Sequence, residues 1–148
     1  MDCDGVMTDG RLYFSEAGEA MKVFHVRDGQ GLVNWHAAGF RSGIISGRDA
    51  GDIIKKRAAE LGINYVRVRS GDKPKDFHEI IAEAGVTAHE VAYIGDDVGD
   101  IGLLQLVGLP VAVADAVKEV KSVAFITTKK KGGRGAVREI IDLLLESR

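Results

Sequence analysis

The chain has 148 residues, 45% of them hydrophobic and 28% charged, with a formal net charge of -2. That length supports a single domain with one core, and no apolar run approaches the roughly 20 residues a membrane span needs. The charge balance gives no general attraction to nucleic acid or anionic lipid, so neither is an expected partner.

The chain opens on Met1-Asp2-Cys3-Asp4-Gly5, which reads as the end of a strand whose earlier residues precede this numbering. Cys3 is the sole cysteine. It cannot close an intramolecular disulfide, which suits a reducing compartment such as the cytoplasm, and it is expected to be a strand residue pointing away from the site. A hairpin follows, pairing Arg11 to Phe14 with Met21 to Val26 across Ser15-Glu16-Ala17-Gly18. Asp28 is placed to cap a helix that ends near Gly39, and Ser42 to Ile45 reads as a buried strand.

Asp49 opens the next helix, with Ile53, Ile54, Arg57, Ala58 and Leu61 on one face and Gly62 as its stop. Asn64 to Arg67 reads as a short strand. Lys73 to Ala84 reads as a helix with Phe77, Ile80 and Ile81 facing inward, and Val91 to Ile94 as a clearer strand running into Gly95-Asp96-Asp97. Strands at Pro110 to Val113 and Val123 to Ile126 precede a last helix around Val137 to Leu145. Alternating strands and helices closed by glycines predict an α/β fold: a doubly wound, Rossmann-like parallel sheet with a β-hairpin insertion.

Polar signals sit where strands give way to loops: Asp2 and Asp4, then Ser46, then Lys73, then Asp96 and Asp97. In a doubly wound sheet such strand ends converge on one crevice. Of the two carboxylates at i and i+2, one could attack while the other handles protons. A carboxylate is a poor nucleophile toward a phosphate dianion unless a metal neutralises the repulsion, and hard oxygen ligands of this kind select magnesium. Ser46 offers a hydroxyl donor and Lys73 a compact positive charge for a phosphoryl group. Each signal alone is weak, with surface turns, helix caps and a solvated lysine as the plain readings.

Together, Asp2-Cys3-Asp4-Gly5-Val6-Met7-Thr8-Asp9-Gly10 at one end and Gly95-Asp96-Asp97-Val98-Gly99-Asp100 at the other resemble the haloacid dehalogenase superfamily. The resemblance implies that Asp2 forms an aspartyl-phosphate, that Asp4 is general acid and then base, and that Ser46 and Lys73 hold the phosphoryl group. It implies Mg2+ bound by Asp2, the Asp4 carbonyl and Asp96, with Asp97 orienting the shell. Val26-Arg27-Asp28-Gly29, Ile45-Ser46-Gly47-Arg48 and Gly132-Gly133-Arg134-Gly135-Ala136-Val137-Arg138 make the chain similar to the capless 3-deoxy-D-manno-octulosonate 8-phosphate phosphatases.

That likeness implies a sugar-acid phosphate substrate in lipopolysaccharide precursor synthesis, with Thr8, Arg27, Gly47, Arg48 and Arg134 as substrate contacts; Arg57 is a further candidate anion contact, with a snorkelling surface arginine as its plain reading. It also implies a homotetramer assembled through residues 10–26, and a mobile segment over 129–135 that covers a neighbour's site. Arg48 could meet the sugar-acid carboxylate by a two-pronged contact, and because the similar phosphatases for nine-carbon acids tend to carry an acidic residue at that position, the resemblance leans toward the eight-carbon acid. Val68 to Asp72 departs from the family pattern. A phosphatase for a nine-carbon sugar-acid phosphate or another small phosphomonoester is the second enzyme reading; a non-catalytic phospho-acceptor or oligomeric binding module is the reading from another class, and Asp4 speaks against it. His25, His36, His78 and His89 lack metal-ligand spacing, so no zinc site is expected.

Overall fold

The computed structural model describes residues 1–48 and 52–147. Strands are β1 (Tyr13–Ser15), β2 (Gly18–Met21), β3 (Gly43–Ile45), β4 (Tyr65–Arg67), β5 (Ala92–Gly95), β6 (Leu109–Ala112) and β7 (Ile126–Thr127). Helices are α1 (Val26–Ala37), α2 (Ile53–Leu61), α3 (Lys73–Ala84), α4 (Ile101–Leu104), α5 (Lys118–Val123) and α6 (Ala136–Glu146), with single 3-10 turns at Ala88–Glu90 and Val98–Asp100.

β3 pairs in parallel with β4, and β5, β6 and β7 form a second parallel group. The first two residues join them. Met1 N donates to Gly43 O (3.0 Å), Ile45 N to Met1 O (3.1 Å) and Asp2 N to Ile94 O (3.0 Å). The order across the sheet is therefore β4-β3-Met1/Asp2-β5-β6-β7, and Asp2 leaves it at its centre. α1 packs against α6 and α2, while α3, α4 and α5 form a second group. The expected doubly wound α/β fold is observed. Among the described residues only the β1–β2 hairpin separates Asp4 from α1, and only α2 and β4 lie between Ser46 and Lys73.

Helix α3 follows directly from its sequence. Asp72 accepts Lys75 N (3.0 Å), Pro74 occupies the first turn, Phe77 and Ile80 are buried, and Gly85 ends the helix in the left-handed region. Gly62 ends α2 in the same way.

Other elements differ from expectation. The hairpin is shorter and its turn tighter. Ser15 Oγ accepts Ala17 N and donates to Gly18 O, closing the chain over Glu16 and Ala17, and Val26 belongs to α1 rather than to a strand. Lys118–Val123 is helical, leaving only Ile126–Thr127 as strand: Val120 is the one residue of that helix to bury fully, too little periodicity to read. Cys3 is fully buried but lies in the turn after the sheet, its carbonyl accepting Met7 N (2.9 Å) and Thr8 N (3.1 Å). Asp49, expected to begin α2, lies outside the described residues.

Asp28 does not cap α1. It sits inside the first turn, and its carboxylate accepts Gly135 N (3.1 Å) and Arg138 N (2.9 Å), capping α6 from more than a hundred residues away. Burial pushes its carboxyl above the usual range, against the lowering effect of these backbone donors. Asp28→Ala strands two amides of a helix start. The expected loss is about 1–3 kcal/mol, a fall of roughly 3–10 °C in thermal midpoint. Thermal unfolding followed by circular dichroism measures it, and an unchanged midpoint would remove Asp28 from the structural account.

Candidate active site

The carboxyl ends of the central strands bring together Asp2, Ser46 after β3, Lys73 at the start of α3, and Asp96 after β5. Asp2 is 8% exposed and Ser46 1%. Lys73 Nζ lies 2.9 Å from Asp2 Oδ1 and 2.7 Å from Asp100 Oδ1. Asp2, Asp96 and Asp100 each offer an oxygen to one cluster, these atoms lying within 4.8 Å of one another.

Asp100 organises this cluster, a role its sequence context did not announce. Its carboxylate accepts Tyr93 Oη (2.8 Å), Asp96 N (3.0 Å) and Lys73 Nζ, and it is 1% exposed. The signal available was its position, an acidic residue four places beyond Asp96 in a turn that must fold back onto the strand end. Asp97, by contrast, is exposed, and its Oδ1 accepts the adjacent Val98 N (2.7 Å).

Electrostatics follow from crowding three carboxylates around one ammonium. Burial works against the Lys73 charge, but Asp2 and Asp100 outweigh it and hold the ammonium above its ordinary range. Burial raises Asp2, with Lys73 opposing the rise and the Asp100 charge adding to it. Asp96 is pushed up to about 8, first by burial and then by the charges of Asp2 and Asp100. Asp96 Oδ1 and Asp4 Oδ2 are buried with no hydrogen-bond partner among the described residues. A hard divalent cation among Asp2, Asp96 and Asp100 would satisfy Asp96 Oδ1 and relieve the repulsion between these carboxylates, so the donor set fits magnesium.

The loop from Asp2 to Gly10 is tightly held. Gly5 has φ +92°, and a Cβ there would overlap the Asp96 carboxylate. Thr8 Oγ1 accepts Gly5 N (3.3 Å) and Gly10 N (3.2 Å), so this buried hydroxyl braces the loop. Gly133 N donates to Val6 O (2.9 Å), and Gly132 lies so close to Gly5 O that no side chain would fit. The glycine-rich segment therefore packs beneath the loop of its own chain.

The other sequence-predicted contacts are placed as follows. Arg48 N approaches Ser46 Oγ (3.3 Å), and its guanidinium lies 3.6 Å from Glu19 of the hairpin. Gly47 adjoins Ser70, whose amide donates to Ser46 O (3.0 Å), so the unusual 68–72 segment folds onto the serine. Arg134 reaches Asp9 (3.5 Å) and stays 60% exposed. Arg27 is exposed on the first turn of α1. Arg57 pairs with Glu60 (2.9 Å) and lies over the Phe24 ring, between α1 and α2. An apolar cavity of 320 Å³ opens between the amino ends of β3 and β5, lined by Gly43, Tyr93, Leu32 and Phe77 among others, away from the carboxylates.

A lysine-held aspartate at the central strand end, with further carboxylates after the next strand, defines a hydrolase of the phosphoryl-transfer kind. The chain belongs to the haloacid dehalogenase-like hydrolases, whose family model matches residues 62–141. Within that family it is similar to 3-deoxy-D-manno-octulosonate 8-phosphate phosphatase KdsC of Yersinia pestis, 44% identical over 144 residues, 97% of this chain and 76% of the relative.

Two solved structures share the fold closely. The cobalt-bound Haemophilus influenzae phosphatase has a TM-score of 0.96 at 40% identity, over 99% of this chain and 85% of that one. The Moraxella catarrhalis phosphatase, solved in complex with magnesium ion, phosphate ion and a KDO molecule, has a TM-score of 0.95 at 33% identity, over 100% and 84%. The expected family and fold are both borne out.

Proposed function

We propose that this hydrolase cleaves 3-deoxy-D-manno-octulosonate 8-phosphate to the free sugar acid and phosphate, using magnesium. The observation that carries the reading is the Lys73-held Asp2 beside Asp96 and Asp100, in a chain 40–44% identical to phosphatases of that name. Asp2 attacks phosphorus, and the phosphoryl–oxygen bond to the sugar breaks. Asp4, two residues on, gives a proton to the departing alcohol and then takes one from the water that hydrolyses the aspartyl-phosphate. Lys73 and the Ser46 hydroxyl offset charge on the phosphoryl oxygens. Magnesium, held by Asp2, the Asp4 carbonyl and Asp96, with Asp97 orienting the shell, supplies charge neutralisation between nucleophile and phosphate. The Asp100 carboxylate orients Lys73 and Asp96.

Thr8, Arg27, Gly47, Arg48, Arg57 and Arg134 form the proposed substrate surroundings, Arg48 meeting the sugar-acid carboxylate. We place the protein in the cytoplasm, in lipopolysaccharide precursor synthesis, as a homotetramer. Support for the assembly comes from the hairpin region, where Leu12, Phe14, Met21 and Val23 are 44–64% exposed. In the proposed tetramer the 129–135 segment covers a neighbour's crevice, and the exposure of Lys129, Lys130, Lys131 and Arg134 supports that reading.

Phosphate release from the octulosonate ester tests the function, with the metal removed by a chelator and restored. Turnover is expected to vanish with chelation and return with magnesium alone; unchanged turnover without metal would contradict the reading. Magnesium is also expected to raise the wild-type thermal midpoint by a few degrees, roughly 1–3 kcal/mol of linkage at saturating metal. Asp96→Asn should abolish that rise, whereas a retained rise would place the ion elsewhere.

A further inference from the structure

The hairpin carries a charge that its role as an exposed insertion does not explain. Lys22, at the foot of β2, has a side chain with 0% exposure, a rare environment for an ammonium. Its Nζ is hydrogen-bonded to Asp4 Oδ1 and lies 2.7 Å from Glu19 Oε1. The Glu19 side chain is 4% exposed, and its Oε2 faces the Arg48 guanidinium at 3.6 Å. Asp4, Lys22, Glu19 and Arg48 thus form an alternating chain of charges from the aspartate loop to the residue after the serine. Asp4 is tethered through one oxygen only, and its Oδ2 is buried without a partner among the described residues.

We propose that Lys22 is a positioning residue for the reaction: it fixes Asp4 through Oδ1, with Glu19 as its anchor, so that Oδ2 is presented for proton transfer. This rests on the reading of Asp4 as general acid and base. The hairpin thereby supplies part of the reaction geometry from within the chain. A lysine suits the task because it donates to two carboxylates at once and cannot itself accept the proton Asp4 must deliver.

The test compares two leaving groups, one that needs a proton and one that does not. Turnover of the octulosonate ester is measured together with the first-turnover release of para-nitrophenolate from para-nitrophenyl phosphate, both with magnesium. Wild type, Lys22→Met, Glu19→Gln and Asp4→Asn are compared.

Lys22→Met is expected to lower kcat on the sugar phosphate about 30-fold or more with KM within about threefold, while nitrophenolate release stays within about threefold. Equal losses on both substrates, or a change in KM alone, would make Lys22 a structural or substrate-binding group and overturn the proposal. Should Lys22→Met fail to fold, Glu19→Gln carries the same test: a loss of about fivefold or more confined to the sugar phosphate supports it, and uniform or absent loss overturns it. If Asp4→Asn itself shows no dependence on the leaving group, the acid–base reading falls and takes this inference with it. If Asp4→Asn shows that dependence and neither hairpin variant does, the positioning role alone falls.

Discussion

Asp2→Asn is expected to lower phosphate release by about 10⁴-fold or more, leaving only what substrate binding and residual electrostatics supply. The substitution keeps the size of the side chain and removes its negative charge, so the Lys73 contact at 2.9 Å loses its ionic character while the fold is retained. Asp2 donates its amide to Ile94 O, a bond independent of the side chain, and the thermal midpoint should move little. Mass spectrometry of protein quenched during turnover gives the companion result. A phosphoryl adduct is expected on the peptide containing Asp2 in wild type, enriched in Asp4→Asn and missing from Asp2→Asn. An adduct on another residue would reassign the nucleophile.

Asp100→Asn is expected to be nearly as damaging, a fall in kcat on the order of 10²-fold or more, although Asp100 is not assigned to touch the substrate. Four groups converge on its carboxylate: Lys73 Nζ, Tyr93 Oη, Asp96 N and Asp97 N. Burial and the Asp100 charge hold the Tyr93 phenol well above its ordinary range, so that phenol remains a donor. Oδ1 takes Lys73 and Tyr93 and Oδ2 takes the two amides, so an amide in place of the carboxylate must point its NH₂ at one of these pairs of donors. Among the described residues Lys73 then keeps Asp2 as its carboxylate partner, or else the turn that presents Asp96 loosens. Kinetics over a magnesium titration read this: a lower kcat at saturation and a higher magnesium concentration for half-activation are expected, and wild-type kinetics would show that Asp100 is only a fold residue.

The sequence made the local logic plain and hid the distant pairings. Helix α3 was readable because Asp72, Pro74 and Gly85 mark its ends and Phe77 and Ile80 its buried face. The central position of Asp2 followed from the DxDG and GDD patterns at strand ends. Asp28 misled because its position next to a helix pattern is what a local cap looks like, while its true partners, Gly135 and Arg138, are brought to it by the packing of α1 on α6. Asp100 was passed over beside the more conspicuous Asp96-Asp97 pair. Lys22 was invisible for a similar reason: in a hairpin of alternating residues a lysine reads as solvated, and only the fold shows it turned onto Asp4.

The most direct measurement is kcat/KM for a panel of phosphate esters with magnesium: the octulosonate 8-phosphate, a nine-carbon sugar-acid phosphate, a neutral sugar phosphate and para-nitrophenyl phosphate. The account predicts magnesium-dependent hydrolysis with at least a roughly 100-fold preference for the eight-carbon acid, lost in Asp2→Asn. Comparable values across the panel would contradict the assigned substrate, and no hydrolysis of any ester would contradict the phosphatase reading itself.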